Sequence, residues 1–425
     1  MKFDVAIIGG GILGTTISYW LSAMTNRKIC VIEKEDRVAA HASSRNTGVV
    51  HSPFYLDPQK KKKIAKAALQ SHDLWQSYAK KHNIPWKDTG TIEIALDESQ
   101  HLTLEKYLKW GIQNGLEESD LSLLDQAQIS QREPNVKCHS GIYCKKDAST
   151  NYGMLTEQLC LESKQNGTQF LFSHVVKKIK NNTIFFANEK SLEFDFLINC
   201  AGGYSLDIAK QLGIAKEYSN LHFRGEYWRI APHHADLVGT NIYTVAKHAS
   251  FPFLDPHWIR RADGIVEIGP NAVPVSDPEA YSGIGGASKV VSKLGQIISG
   301  SSKKLLFNSE FLSLISKEWK SSISKNAMVS RVKEFIPKIK PQYFISRGTA
   351  GIRTPIITKN GTFLPETLEL RSDNSLHIIN YNSPGATGSP AYSAYLVRQL
   401  SDSGIIKLDK NQKPDIWDFS KVVST

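Results

Sequence analysis

Cysteine is scarce and badly spaced for a structural role. There are five, Cys30, Cys138, Cys144, Cys160 and Cys200, an odd number with no CxxC pair. A disulfide framework and a zinc ribbon are therefore not expected, and scattered thiols suit a reducing compartment. Acidic side chains are outnumbered, 41 against 52 basic ones, leaving a net charge of +11 over 425 residues. A balance of this size suits nucleic acid, an anionic membrane face or anionic small molecules without choosing among them. Internal repeats and low-complexity tracts are lacking. So are long apolar runs, apart from the uncharged stretch Val5–Asn26. Three consecutive glycines and the flanking Asp4 break that stretch, so neither a membrane span nor a signal peptide is expected, and a cytoplasmic protein is the default. The composition, 41% apolar and 22% charged, is that of a globular chain long enough for two domains.

What is present begins at the N-terminus. Phe3–Ile8 is a short β-run, Gly9-Gly10-Gly11 a turn, Ile12–Met24 a helical stripe and Lys28–Glu33 a second buried strand. This is a βαβ unit, the start of a doubly wound sheet. Gly9, Gly11 and Gly14 form G-x-G-x-x-G at the strand–helix junction. The first glycine makes the tight turn, the second lets the backbone approach a pyrophosphate, and the third lets helix and strand pack closely. Glu33 ends the second strand, where an acid accepts hydrogen bonds from a ribose. With its strand, helix and acid in place, the motif predicts a bound dinucleotide.

Further along, Lys60–Lys80 reads as a helix, opening on a four-lysine run taken as its solvated start. Thr91–Leu96, Phe223–Arg229 and Gly264–Gly269 alternate like strands, and aromatic, proline-rich loops such as Phe251-Pro252-Phe253 separate the last two. Ser288–Ile298 and Glu310–Phe335 read as helices, as does about Pro390–Leu400. The polar stretch Ser43–His51 and the run Phe194–Gly203, ending in Ala-Gly-Gly, supply further backbone that can reach a cofactor longer than one βαβ unit holds. Val175 or Val176 can pack on the adenine. The thirteen histidines, His233-His234 included, lack carboxylate or cysteine partners at ligand spacing, so no metal site is expected.

The pieces GGGILG (9–14), RNTGVVH (45–51), FRGEYW (223–228), GPNAV (269–273), GIR (351–353) and NSPGAT (382–387) give a resemblance that covers nearly the whole chain. The sequence resembles the FAD-dependent oxidoreductases of the D-amino-acid oxidase superfamily, and within it the L-2-hydroxyglutarate oxidase/dehydrogenase family. The resemblance implies an α/β fold, α+β overall, with a Rossmann-like FAD-binding domain interleaved with a substrate domain based on a β-sheet. The FAD domain is expected from 1–85, 145–215 and 345–425, and the substrate domain from 86–144 and 216–344. The resemblance implies non-covalent FAD and oxidation of a 2-hydroxy acid to a 2-oxo acid, with L-2-hydroxyglutarate to 2-oxoglutarate as the leading case. Gly9, Gly11, Gly14, Glu33, Ser44, Asn46, Thr47, Gly48 and Val176 then match FAD-contacting positions. Ala201, Gly202, Gly351, Pro384, Gly385, Ala386 and Thr387 form a later set. The chain departs from the family at Ser52-Pro53-Phe54-Tyr55 and at Ile259, both expected on the substrate side.

Oxidising a 2-hydroxy acid needs a hydride acceptor, a base for the hydroxyl proton and a grip on the carboxylate. Arg353 is the expected carboxylate fork. His51 is the leading base and His257 its competitor. Arg224 either grips a second carboxylate or is neutralised by Glu226, and Tyr227 lies on the opposite face of the expected strand. The electron acceptor, quinone or O2, is left open, and the basic balance permits a peripheral contact at the inner face of a membrane. An amine or amino-acid oxidase of the same superfamily is the rival activity. A non-catalytic nucleic-acid binder is the remote one, and no stripe of interleaved aromatics and lysines supports it.

Overall fold

The computed structural model describes residues 1–248, 251, 255–409 and 414–424. The first strand, β1 (Lys2–Ile8), leads through the glycine turn into helix α1 (Ile12–Met24), and β2 (Ile29–Ile32) returns parallel to it. Every residue of α1 is buried. Its uncharged sequence serves a helix sealed between layers. The threonine and serine hydroxyls return hydrogen bonds to the helix's own carbonyls, Thr16 to Ile12 at 2.5 Å and Ser18 to Thr15 at 2.8 Å.

Five parallel strands lie side by side in the order 169–171, β2, β1, Ser191–Asn199 and Ser375–Ile379. An antiparallel strand, Leu368–Ser372, pairs with the last of them, and Val176–Lys180 and Thr183–Phe186 extend the sheet from the start of 191–199. A second eight-stranded sheet runs in the order 344–347, 228–230, 266–269, 257–260, 241–244, 91–95, 140–144, 121–125. It is antiparallel except where Asn241–Thr244 pairs with Thr91–Ala95. Its core is built from Ile92, Ile242, Trp258 and Ile268 against Met328, Val332 and Phe335.

Two expectations need correction. Phe223–Arg229 is not one strand: His222–Gly225 and Trp228–Ile230 belong to different sheets, with Glu226 and Tyr227 at the crossing. The return to the first sheet does not begin at 345. Phe344–Arg347 still pairs in the eight-stranded sheet, Gly351–Arg353 with His222–Gly225, and Ile356–Ile357 with Ser219–Asn220. The stretch Glu310–Phe335 holds two helices, Ser309–Ile323 and Lys325–Lys333, because Ser324 caps the second by accepting from the Ala327 N–H. Of the Phe251-Pro252-Phe253 loop, residues 252 and 253 lie outside the described residues.

The last long helix, Gly385–Asp402, begins five residues before the expected start and carries Pro390 inside it. Proline has no N–H, so the Ala386 carbonyl four residues earlier loses its helical donor. The Trp75 indole N–H donates to it at 3.1 Å and to the Thr387 carbonyl at 2.9 Å, and the Ala391 N–H finds the Ser71 hydroxyl at 3.0 Å. The defect thereby anchors this helix on helix Lys62–Lys81, with the helix start held at the edge of the parallel sheet.

At Gly14 an added Cβ would stand 2.1 Å from the Gly9 carbonyl oxygen, which is backbone and has no room to move. Gly14→Ala is expected to lower stability by about 1–3 kcal/mol or more. Gly295→Ala, in a helix with open space around it, should leave the melting temperature unchanged or slightly raised. Thermal melts of the two variants beside the parent check this.

Candidate active site

One cavity of about 820 Å3 runs between the parallel sheet and the second domain. That is at the upper end of small-molecule sites. Its nucleotide end is made by the glycine turn. Gly9 has φ +108, and a Cβ there would lie 2.4 Å from the Cys200 carbonyl oxygen, so the ends of β1 and Ser191–Asn199 come together only around glycine. Gly11 caps α1 without a side-chain bond, leaving the positive end of the helix toward the cavity. Glu33 lines the same end. Its carboxylate accepts from the Gly10 N–H at 2.7 Å and the Glu35 N–H at 2.9 Å, which fixes its direction.

Gly9, Gly11, Glu33, Asn46, Thr47, Val176, Ala201, Gly202, Gly351, Pro384, Gly385, Ala386 and Thr387 all line the cavity, as does Val175. Three of the expected cofactor positions do not. Gly14 serves the contact between helix and strand described above. Gly48 holds a positive-φ turn against the Thr150 carbonyl. Ser44 faces a small separate cleft beside Thr150 and Asn151. Its neighbour Ser43 is the serine on the cavity, with its hydroxyl accepting from the Ile12 N–H at 2.9 Å. A two-residue ambiguity in a polar run was open to sequence reasoning; which serine points inward depends on how the turn after β2 is wound.

The nucleotide end is closed by a loop from the second domain. Glu279 and Tyr281 line the cavity. The Lys34 ammonium reaches both Glu35, at 2.5 Å, and Glu279. His41 Nδ1 lies 2.7 Å from the Tyr281 hydroxyl, and the Arg45 guanidinium stacks 3.9 Å over that ring. Glu35, His41 and Glu279 converge closely enough to hold an ion, but the Lys34 ammonium already lies among them.

Tyr227, Tyr243, His51, His257 and Arg353 also line this cavity. Tyr243 stacks on His257 with ring centres 4.2 Å apart and meets His51 edge-on at 5.7 Å. His257 is buried, and burial lowers its pKa to about 3. Its Nδ1 lies 3.1 Å from the Asp255 carbonyl, which can only accept. The ring is thus neutral with the proton on Nδ1, and Nε2 has no hydrogen-bond partner among the described residues. His51 is different. Its Nδ1 lies 3.5 Å from the carboxylate of Asp147, which is fully buried. The other Asp147 oxygen accepts from the Ser52 N–H at 2.7 Å. Beside it, burial and then the Asp147 charge push the Glu93 carboxyl up to about 8. Nothing in Lys145-Lys146-Asp147 marks this acid in the sequence; only the pairing of Val49–Val50 with Ala148–Thr150 brings it to His51.

Arg353 sits on a strand paired with Phe223. Burial lowers its pKa and the neighbouring Tyr227 and Tyr55 oppose that. Lys61, from the lysine run, is half-buried rather than solvated. Burial and then the charge of Arg353 push its ammonium down. Arg224 is a correction. It is absent from the cavity wall, because its guanidinium is held by Glu226 at 3.0 Å and by the carbonyls of Ala280 and Gly283. Ile259 is likewise absent from the cavity wall, although it is fully buried. The Ser52–Tyr55 departure forms a turn that buries Phe54 and sets Tyr55 edge-on to His51 at 5.9 Å.

Residues 4–400 match the family of FAD dependent oxidoreductases. The chain belongs to that family. It is 31% identical to the L-2-hydroxyglutarate dehydrogenase of Indibacter alkaliphilus over 92% of this chain and 96% of that one. It is 28% identical to the mitochondrial L-2-hydroxyglutarate dehydrogenase of Homo sapiens over 94% and 89%. In fold it is similar to L-alpha-glycerophosphate oxidase from Mycoplasma pneumoniae with FAD bound, with a TM-score of 0.76, 21% identity and coverage of 98% and 97%. Glycine oxidase from Geobacillus kaustophilus gives 0.68, 16%, 96% and 96%. The cofactor of this FAD-dependent oxidoreductase fits the cavity: Gly9 and Gly11 form a cradle that side chains would fill, beside an anchored acid.

Glu33 bonds two backbone N–H groups, so its removal unmakes the turn at this end of the cavity. Glu33→Ala is expected to raise the FAD dissociation constant roughly ten- to hundredfold. Titration of the apoprotein, followed by quenching of flavin fluorescence, checks this.

Proposed function

We propose that this FAD-dependent oxidoreductase oxidises a 2-hydroxy acid, and L-2-hydroxyglutarate in particular, to the 2-oxo acid. One observation carries the reading: a guanidinium and two imidazoles, one of them with a buried carboxylate behind it, share the cavity that begins at the glycine turn. The similarity to the L-2-hydroxyglutarate dehydrogenases over almost the full chain supports it. FAD, held non-covalently at the glycine turn and Glu33, would supply the acceptor for the hydride of the α-carbon, with a quinone or O2 as the final electron acceptor.

The residues divide the remaining work. Arg353 orients the substrate carboxylate, since a half-buried guanidinium on the cavity wall offers two parallel donors. Tyr227 and Tyr243 exclude water around the reacting carbon. His51 accepts the hydroxyl proton. Asp147 stabilises the imidazolium that results, because a buried carboxylate close to Nδ1 favours the charged ring. His257 is too hard to protonate for that task.

Mixing the purified protein anaerobically with L-2-hydroxyglutarate should bleach the flavin absorbance within the mixing experiment. An enzyme that stays yellow with that acid and bleaches with glycine, sarcosine or another amino acid is an amine or amino-acid oxidase instead. Arg353→Ala should raise KM strongly for every acid while FAD stays bound. His51→Ala should slow flavin reduction by roughly 10²–10⁴; a loss below about tenfold would move the base to His257 or to water. Asp147→Asn removes the carboxylate charge 3.5 Å from His51 Nδ1 and should slow flavin reduction while FAD stays bound.

A further inference from the structure

The loop 276–286 leaves the second domain between the strand Val273–Val275 and the helix Ala287–Ser299. It is tied at its own neck, where the Ser276 N–H donates to the Ile284 carbonyl at 3.1 Å. A loop of this length, closed at its neck, is a compact unit of its own. On the helix side of the neck the backbone is rich in glycine. Gly283 and Gly285 have φ +62 and +101, and a Cβ added at Gly283 or Gly286 would meet nothing within 4 Å. Such positions absorb a change of backbone angle without a collision. From its own domain the loop is held by Arg224, whose guanidinium donates to the Ala280 carbonyl at 3.0 Å and to that of Gly283.

The tip of the loop directs its side chains to the other domain. Glu279 pairs with Lys34, and both side chains are mostly covered, at 30% and 27% exposure. The Tyr281 hydroxyl lies 2.7 Å from His41 Nδ1, and the Arg45 guanidinium covers the Tyr281 ring at 3.9 Å. Glu35 joins the two contacts, 2.5 Å from the Lys34 ammonium and 2.8 Å from His41 Nε2. Pro278 rests on Gly203, where an added Cβ would stand 2.4 Å from the proline side chain. The place of these contacts matters. Lys34 and Glu35 follow Glu33 directly in sequence, and all three line the nucleotide end of the cavity with Glu279 and Tyr281. Their chemistry matters too. A polar group that leaves its partner here takes up water instead, so opening costs a few net bonds and not the exposure of a broad apolar face. A closure meant to be permanent would be apolar.

We propose that the loop 276–286 is a strap that locks FAD into the cavity. Closed, it clasps Lys34 through Glu279, and His41 and Arg45 through Tyr281. It swings away on its glycines to let the dinucleotide in and out, so the second domain controls how fast the first exchanges its cofactor. Arg224 is the positioning residue of the strap, which accounts for its burial away from the cavity wall. The strap is rooted in the three-stranded sheet that also carries Arg353, since Val273–Val275 and Gly351–Arg353 flank the strand His222–Gly225 on its two sides. The proposal rests on the FAD cofactor of the family and not on which acid the enzyme oxidises.

The test is the rate of FAD exchange, followed by flavin fluorescence as release from the loaded protein on dilution and as association with the apoprotein. Glu279→Lys sets one ammonium against another and should speed both association and release roughly three- to thirtyfold. The double variant Lys34→Glu/Glu279→Lys restores an opposite pair with its signs exchanged and should return both rates to within about threefold of the parent. High salt should speed release from the parent and leave Glu279→Gln, which has no charge at this position, almost unaffected. Thermal melts identify a variant that has not folded; should Glu279→Lys be one, Glu279→Gln carries the same expectation at the lower end of the range. Release from Glu279→Lys as slow as from the parent overturns the proposal. So does a double variant as fast as the single one, because the pair is then not the clasp. Faster release with an unchanged association rate overturns it as well, since the loop would then only touch the cofactor and not gate it.

Discussion

The site depends on one close approach of backbone to backbone. Where β1 ends and Ser191–Asn199 ends, Gly9 meets the Cys200 carbonyl at a distance that no side chain allows. A few residues on, Gly14 brings α1 down on the Gly9 carbonyl. These two contacts set the height of the helix above the sheet, and so the place where its positive end faces the cavity. Glu33 closes the arrangement from the next strand by holding the Gly10 N–H.

The second helix that reaches the cavity, Gly385–Asp402, is placed by an imperfection. Pro390 removes a helical donor, and the neighbouring helix supplies Trp75 and Ser71 to the groups left open. The Trp20 indole donates to the Pro390 carbonyl itself at 2.8 Å. A regular helix would slide more freely against its partner. Here directional bonds fix the register, and with it the position of Pro384–Thr387 on the cavity wall. Thr387 carries this order further: its hydroxyl accepts from the His51 N–H at 3.1 Å and meets the Tyr152 hydroxyl at 2.9 Å.

Polar groups at the other part of the site are graded by burial. His257 is kept neutral, His51 has a buried carboxylate behind it, and Glu93 holds its proton near neutrality. Two groups of the same chemical type therefore differ in what they can do with a proton, and the difference comes from their surroundings rather than from the residue.

The sequence by itself determined the nucleotide half. Glycine spacing, a helix start and an acid at the end of the second strand are local, because a turn between adjacent elements needs only neighbouring residues. It also determined the family, through short words that recur in order. The substrate half was legible as a set of candidates, His51, His257 and Arg353, and not as an arrangement. Arg224 was open between a second carboxylate and Glu226 until the fold paired it with Glu226 and with two carbonyls from the 280–283 loop. Asp147 carried no signal, and Lys61 looked like one of four solvated lysines. Contacts between residues about 100 to 300 positions apart are set by how the two sheets pack, and a charge acquires its partner, its burial and its proton affinity only when that packing is complete.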